Sequence, residues 1–241
     1  MQSGAGPLVA PIETSAHLSD RARARKADRP WYAYASQLLP EAGAAGCFVD
    51  LGCGQGELLA KAGERGLAGL GLDFWAQNAR ATARAGHPAL AADLNRPLPF
   101  RDASLDGLCL VEVIEHIVRA EQLVDEMARV LRPGGWLVLT TPNVVHWTYR
   151  WRTLTGHAPK QEGYHYRFFT RDRLERMLAA RGFALEARAS FGKQAVLTRL
   201  ARLAGGRRER KVRYRVPAPL EPLLAQHFVW RLRRLPAAAA R

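Results

Sequence analysis

Residues 49 to 57 read Val49-Asp50-Leu51-Gly52-Cys53-Gly54-Gln55-Gly56-Glu57, which sets an apolar run, three alternating glycines and a helix-forming segment in direct succession. Glycine tolerates positive φ angles and lets a ligand approach the backbone closely. The first turn of a helix presents N–H groups without intrahelical partners, and these bind polar ligand groups. The stretch therefore predicts a strand, a tight ligand-binding turn and a helix.

The spacing of these glycines separates the turn from the dinucleotide-binding fingerprint. That fingerprint reads GxGxxG, whereas Glu57 occupies its sixth position here and the pattern is GxGxG. Asp73 closes the next apolar run, 17 residues after Gly56. A carboxylate at the end of a second strand can accept hydrogen bonds from both hydroxyls of a ribose. The turn and the acid together are far more specific than either feature alone.

Short apolar runs alternate with amphipathic stretches from Cys47 almost to the C-terminus. This alternation is typical of an α/β protein with a doubly wound, mostly parallel sheet that is covered by helices on both faces. The predicted strands are residues 47–51, 68–72, 89–92, 106–111 and 135–140, and the predicted helices are residues 56–65, 76–85, 119–131 and 171–181. Residues 183–189 and 228–232 are expected to form an antiparallel edge pair, and a helix after Pro30 could lie across the ligand mouth.

The net charge of +14 is concentrated at the C-terminal end of the chain. Residues 31–198 contain 19 basic and 17 acidic residues, whereas residues 199–241 contain 12 basic and 2 acidic residues. The neutral body makes a nucleic acid the less expected partner. The basic end suits a peripheral contact with anionic lipid, RNA or an acidic partner, and it suits a solvated face equally well.

Composition and patterning define the expected domain organisation. Residues 1–27 are expected to be disordered or loosely ordered, residues 28–236 to form one domain with a basic insertion around 199–220, and residues 237–241 to form a tail. No apolar run reaches the roughly 18 residues that span a bilayer, and no signal peptide is evident, so a cytoplasmic location is expected. The three cysteines lack CxxC spacing and are expected to be reduced core thiols.

The motif from Asp50 to Gly56 resembles the first motif of the class I S-adenosylmethionine-dependent methyltransferases, among them the ubiquinone-pathway O-methyltransferases. Further matches are Asp73, the run Ala92-Asp93-Leu94 and the turn Arg132-Pro133-Gly134-Gly135. The resemblance implies a seven-stranded sheet and S-adenosylmethionine as the cofactor. It implies that the glycine turn holds the methionine part, Asp73 the ribose, Asp93 the adenine amino group and Leu94 the adenine ring. The cofactor residues expected from it are Asp50, Gly52, Cys53, Gly54, Gly56, Asp73, Phe74, Asp93, Leu94, Val111 and Glu112.

The run Glu112-Val113-Ile114-Glu115-His116 follows a predicted strand at the edge of the sheet that faces the cofactor. Methyl transfer to a hydroxyl benefits from a base, because a hydroxyl has a high pKa. His116 is the candidate base and Glu115 its acidic neighbour. The alternative is that both side chains only cap the following turn.

A second alternative for the same run is a divalent cation. Glu112, Glu115 and His116, with His165 later in the chain, resemble the metal-binding residues of small-RNA 3′-terminal 2′-O-methyltransferases. In that resemblance the cation lowers the pKa of the acceptor hydroxyl and orients it. The primary expectation is that no metal is bound.

The expected reaction is methyl transfer to a small-molecule or lipid-linked acceptor, with oxygen as the expected target atom. Residues 144–168 are expected to form a long loop rich in aromatic side chains, which either line an acceptor pocket or pack a lid or an interface. The rival functions are a metal-assisted RNA 2′-O-methyltransferase and a membrane-surface or partner-docking protein that retains a cofactor-binding fold. The sequence leaves the acceptor and the oligomeric state open.

Overall fold

The computed structural model describes residues 29–41, 46–158, 165–193 and 213–236. The helices are α1 (Pro30–Ser36), α2 (Glu57–Gly63), α3 (Ala76–Arg84), α4 (Ala120–Val130), α5 (Trp147–Leu154), α6 (Arg171–Ala179) and α7 (Glu221–Leu224). The strands are β1 (Phe48–Leu51), β2 (Gly69–Asp73), β3 (Ala89–Ala91), β4 (Leu105–Val111), β5 (Leu131–Pro142), β6 (Phe183–Arg188), β7 (Phe191–Lys193), β8 (Arg213–Arg215) and β9 (His227–Arg234). Short 3₁₀ turns cover Ile114–His116 and Ala218–Leu220.

These strands form one mixed, mostly parallel sheet. The five parallel strands lie in the order β3-β2-β1-β4-β5, and β9 then adds to β5 in the antiparallel sense. Both β6 and β7 pair with β9, and β8 pairs with β7 outside them. The carboxyl ends of β1, β2, β4 and β5 therefore meet at one edge, which is where ligands bind in doubly wound sheets.

The predicted doubly wound α/β fold is confirmed, and the sheet is somewhat larger than the seven strands expected. The extra segments have a simple origin. β6 and β7 run along the same strand β9 and are separated only by Ala189 and Ser190, so they act as one interrupted strand. β8 is a three-residue addition from a part of the chain that the sequence patterns did not assign to a strand. The expected antiparallel pair of residues 183–189 and 228–232 is present as β6 and β9, and β9 is the inner strand of that pair because it also bonds to β5.

Two apolar clusters, one on each face of the sheet, explain why helices cover both faces. The first contains Val49 and Leu51 of β1 with side chains of α4 and α6 such as Leu123 and Leu174. The second contains Phe48 of β1 with side chains of α1 and α2. Because neighbouring strand residues point to opposite faces, β1 serves both clusters and is buried throughout.

Three details differ from expectation or lie outside what is described. The aromatic stretch expected as a loop contains helix α5, in which no residue is buried. Cys47 is exposed at the start of β1, so only Cys53 and Cys109 are core thiols. The expected terminal segments 1–27 and 237–241, and residues 199–212 of the basic insertion, lie outside the described residues.

Among the helices that the structure describes, none has the length and apolar character needed to cross a membrane.

Candidate active site

The glycine turn between β1 and α2 adopts the left-handed conformations that its sequence predicts. The φ angles of Gly52, Gly54 and Gly56 are 77°, 59° and 89°. The N–H groups of Gly52 and Cys53 both donate to the Leu72 carbonyl of β2, at 2.7 and 2.8 Å. A Cβ atom on Gly52 would lie 2.4 Å from Cγ2 of Val113, so side chains are excluded there by space as well as by φ.

Asp73 closes β2 and braces this turn. Its Oδ2 accepts a hydrogen bond from the Gly54 N–H at 2.9 Å. Its Oδ1 accepts from the Trp75 N–H and from the side-chain amide of Asn78, both at 2.9 Å. The carboxylate is 6% exposed, and it fixes the turn at the same edge where a ribose is expected.

Two further carboxylates share this corner with Asp73. Asp50 lies at the end of β1, and burial together with the negative charges of Glu57 and Asp73 raises the pKa of its carboxyl to about 8. Glu57 begins α2 and accepts a hydrogen bond from the Gln55 N–H at 3.1 Å. A concentration of negative charge beside a glycine turn suits a ligand that carries positive charge.

The thiol inside the turn does not carry chemistry. Cys53 is buried, its Sγ lies 3.8 Å from the Thr82 hydroxyl, and burial raises the pKa of the thiol to about 12. Its backbone N–H, rather than its sulfur, shapes the turn. Val111 is buried at the end of β4 and belongs to the same apolar cluster as Cys53.

The residues expected at an adenine ring lie beyond β3. Oδ1 of Asp93 accepts from the backbone N–H and the side-chain amide of Asn95, at 2.9 and 3.1 Å, which forms an Asx turn. Leu94 is buried in the core, whereas Phe74, after β2, is exposed and stacks edge-on against Trp75. The Asx turn therefore fixes the loop. Within the part of the chain that the structure describes, the contact given for Oδ2 of Asp93 is a long one to Arg96, at 3.7 Å.

Glu112 follows β4 in a strained backbone conformation, with φ at +55°. Its N–H donates to both the carbonyl and the hydroxyl oxygen of Thr140 on β5. The Thr140 hydroxyl donates to Oε1 of Glu112 at 2.8 Å, and Nδ1 of His227 on β9 lies 2.9 Å from Oε2. The Nδ1–H of His227 does not point at Oε2 of Glu112 well enough to form a hydrogen bond. Three strand ends thus converge on one carboxylate.

Glu115 and His116 lie on the short 3₁₀ turn that follows Glu112. Glu115 is buried and accepts a hydrogen bond from the Thr141 hydroxyl at 3.1 Å. Burial and the nearby charge of Glu112 raise the pKa of its carboxyl well above the ordinary value. A carboxyl in this environment favours its neutral form, so it is poorly suited to act as a base at neutral pH.

His165 is brought to His116 by the backbone. The N–H groups of Tyr166 and Arg167 donate to the Glu115 carbonyl at 2.8 and 3.0 Å, which holds residues 165–170 against the 3₁₀ turn. The two imidazole rings meet edge-on, with centroids 4.7 Å apart. Burial, followed by the His116 charge, lowers the pKa of His165. Ligand atoms of Glu115, His116 and His165 all lie within 4.8 Å of one another.

A row of aromatic rings borders these acids and histidines. Tyr34 of α1 stacks on Phe191 of β7 with centroids 4.4 Å apart, Phe191 stacks on His227 at 5.3 Å, and Trp31 of α1 packs on His227 at 5.1 Å. Burial and the charges of Glu57, Asp50 and Glu112 raise the pKa of the Tyr32 hydroxyl. The expected helix after Pro30 is present, and its rings pack against Phe191 and His227.

The model of a methyltransferase domain family matches residues 22–188, which is more than half of the chain. The chain belongs to the class I S-adenosylmethionine-dependent methyltransferase family. A probable S-adenosylmethionine-dependent methyltransferase of Mycolicibacterium smegmatis is 32% identical to this methyltransferase over 145 residues, which cover 57% of the chain and 52% of the relative. The mitochondrial ubiquinone biosynthesis O-methyltransferase of Rattus norvegicus is 27% identical over 154 residues, covering 57% and 44%.

The methyltransferase thus spans about half the length of the curated relatives it matches. Among solved structures, a SAM-dependent methyltransferase from Thermotoga maritima described as a possible histamine N-methyltransferase superposes with a TM-score of 0.62 at 19% identity. The superposition covers 89% of this methyltransferase and 94% of that chain. At that identity the likeness shows the fold alone.

Most residues that the sequence singled out lie at this edge of the sheet, but they form two separate groups. The glycine turn, Asp50 and Asp73 form one corner, and Glu115, His116 and His165 form another. Glu112 is not part of the second group among the described residues, because its oxygens face Thr140 and His227. Sequence reasoning missed His227, which no motif marks. Only its position at the start of a strand beside β5 could have suggested it.

Proposed function

We propose that this chain transfers the methyl group of S-adenosylmethionine to an oxygen atom of a small-molecule or lipid-linked acceptor. The observation that carries the proposal is that two groups of residues lie at neighbouring strand ends. One is the glycine turn with Asp50 and Asp73, and the other is the set of acids and histidines that includes Glu115 and His116. A nucleoside-type site at β1 and β2 adjoins a group of carboxylates and histidines at β4, β5 and β9. This arrangement brings a proton-accepting group next to the expected donor.

The residues present suit S-adenosylmethionine, whose sulfonium supplies an activated methyl group. Gly52, Gly54 and Gly56 provide a turn without side chains, and Asp73 retains acceptor capacity on Oδ2, which has one protein donor. Glu57 and Asp73 supply negative charge for the sulfonium and ammonium groups, and a bound cation would favour the ionised form of Asp50, whose pKa burial and their charges raise to about 8. Asp93, Leu94 and Phe74 are proposed to face adenine, and Val111 and Glu112 to close the site.

The chain's own contribution to the reaction is orientation, exclusion of water and removal of a proton. Displacement at a sulfonium carbon needs an in-line acceptor rather than a nucleophilic side chain of the protein. Helix α1, whose rings pack on His227 and Phe191, is proposed to cover the site and exclude water. One of the histidines at the ends of β4, β5 and β9 is proposed to take the acceptor proton, and Glu115 and His116 are the candidates that the sequence motif indicated.

The test is a transfer assay with methyl-labelled S-adenosylmethionine and one probe for each acceptor class. Catechol reports a hydroxyl acceptor, histamine a nitrogen acceptor, and a short single-stranded RNA a ribose acceptor. The proposal expects labelled product from catechol and none from the other two. Product from histamine or RNA alone, or no product with any probe while the donor binds, contradicts it.

A divalent cation is the second candidate at this site, and the convergence of Glu115, His116 and His165 favours it. Carboxylate and imidazole ligands suit a transition metal, which would lower the pKa of a bound hydroxyl. The same cation would serve a metal-assisted RNA methyltransferase. Titration with Mn²⁺, followed by its electron paramagnetic resonance signal, should show one tight site that His165→Ala removes and His157→Ala, an exposed control, retains. Equal binding by both variants contradicts a cation at this cluster.

A further inference from the structure

The contact between His227 and Glu112 has the arrangement of an oriented base. A carboxylate beside one nitrogen of an imidazole favours a proton on that nitrogen, which leaves the other nitrogen free to accept one. Nδ1 of His227 lies 2.9 Å from Oε2 of Glu112. Its alignment is imperfect, and the hydrogen bonds of catalytic groups commonly tighten only when substrate binds.

Both partners are held in place by groups outside the pair. Glu112 is anchored by its backbone and by Oε1, since both bond to Thr140. His227 is anchored by Trp31 and Phe191, whose rings pack against the imidazole. The left-handed backbone of Glu112 costs conformational free energy, and strained residues of this kind cluster at functional sites.

His227 lies at the edge of the sheet where doubly wound folds bind their ligands. It pairs with Pro142 at the carboxyl end of β5, beside the end of β4, and it keeps 9% of its surface exposed. Among the described residues, other titratable groups near His227 include His146 at the start of α5 and His165, since burial and, to a lesser extent, the His227 charge lower the pKa of both. Burial lowers the pKa of His146 to about 4, and Arg29 lies over the Trp31 ring on the outer side.

We propose that His227, oriented by Glu112, is the catalytic base that accepts the proton of the acceptor hydroxyl. The proposal rests on the proposed oxygen methylation. The O–H bond breaks as its proton passes to Nε2, the oxygen forms a bond to the methyl carbon, and the electron pair of the broken carbon–sulfur bond stays on sulfur. His116 then remains available to the cluster that it forms with Glu115 and His165.

The first arm of the test needs no acceptor. Nitrogen-15 NMR of the full chain, saturated with S-adenosylhomocysteine at pH 8, reports which nitrogen of each imidazole carries the proton. The proposal expects the proton of His227 on Nδ1, and expects Glu112→Gln to shift the population toward Nε2. A wild-type proton on Nε2, or no change in Glu112→Gln, overturns the proposal.

The second arm measures methyl transfer to catechol by His227→Asn, whose amide retains a donor near Nδ1 but lacks a group at Nε2. Turnover should fall by roughly 100-fold or more, while the Kd for S-adenosylhomocysteine changes by less than about two-fold. The matched control His157→Asn, at an exposed residue outside the site, should keep wild-type turnover. Retained turnover in His227→Asn, or a parallel loss of cofactor binding, overturns the base role. No product from the wild type contradicts the proposed function instead and leaves the tautomer result to decide.

Discussion

At the scale of single residues, the most consequential group is Asp50. Its carboxyl is buried at the end of β1 beside two other acids, and its pKa is raised from 3.8 to about 8. The folded state therefore holds the proton more tightly than the unfolded chain between these two pH values. Stability contributed by the protonated form is complete below about pH 4 and is lost as the pH rises to about 8.

Asp50→Asn should therefore raise the thermal midpoint of the protein at pH 8.5, because the neutral amide avoids a buried charge. The difference from the wild type should shrink as the pH is lowered toward 4, where Asp50 is itself neutral. Thermal unfolding across this range, followed by circular dichroism, checks the prediction. A variant that is less stable than the wild type at pH 8.5 would contradict it.

The cysteines give a second prediction at this scale. Cys53 and Cys109 are buried, and burial raises the pKa of both thiols, whereas Cys47 is exposed. Since the thiolate is the reactive form, only Cys47 should react with a thiol reagent in the folded protein at pH 8. Mass spectrometry after brief iodoacetamide treatment should find one modified site. Labelling of Cys53 at a similar rate would show that the turn opens.

At the scale of elements, the glycine turn is the part that the sequence predicted best. Its signal is local, because glycine at alternate positions between a strand and a helix reflects backbone angles that few other residues adopt. Gly52 and Gly156 share a φ of 77°, but a Cβ would meet Val113 at the first and no atom within 4 Å at the second. An alanine at Gly156 would therefore report backbone strain alone, whereas an alanine at Gly52 would report strain plus a steric clash.

Gly156→Ala should lower the free energy of unfolding by about 1–2 kcal/mol, the usual cost of a left-handed alanine. Gly52→Ala should lose about 1–3 kcal/mol more from overpacking, and should also weaken cofactor binding. Urea unfolding and calorimetry with S-adenosylhomocysteine measure both effects. Equal losses in the two variants would show that the space at Gly52 is not a constraint.

Elements that depend on distant pairing were predicted less well. α5 was expected as a loop because its exposed aromatic residues give no buried face, and a helix without one carries no apolar period. β7 and β8 are three residues each and exist because they pair with each other and with β9. The contact between Glu112 and His227 joins residues that lie 115 positions apart in the chain, and no local pattern encodes it.

At the scale of the whole molecule, the fold class followed from the alternation of strands and helices, and the predicted doubly wound, mostly parallel sheet is confirmed. The acceptor, the domain boundaries and the cytoplasmic location stay predictions. The basic C-terminal end also stays a candidate for anionic contact, since residues 199–212 lie outside the described residues. A family assignment fixes the donor chemistry far better than the acceptor, because the residues that select an acceptor come from several elements.

If the glycine turn and Asp73 together bind the adenosyl amino acid, calorimetry with S-adenosylhomocysteine will detect that binding. The wild type should bind one equivalent. Asp73→Asn should weaken binding by roughly 10-fold or more, because the cofactor would lose a hydrogen bond to a charged carboxylate. The control Asn78→Ala, which leaves the carboxylate in place, should bind within a few-fold of the wild type. Absence of binding by the folded wild type, or unchanged affinity in Asp73→Asn, would contradict the claim.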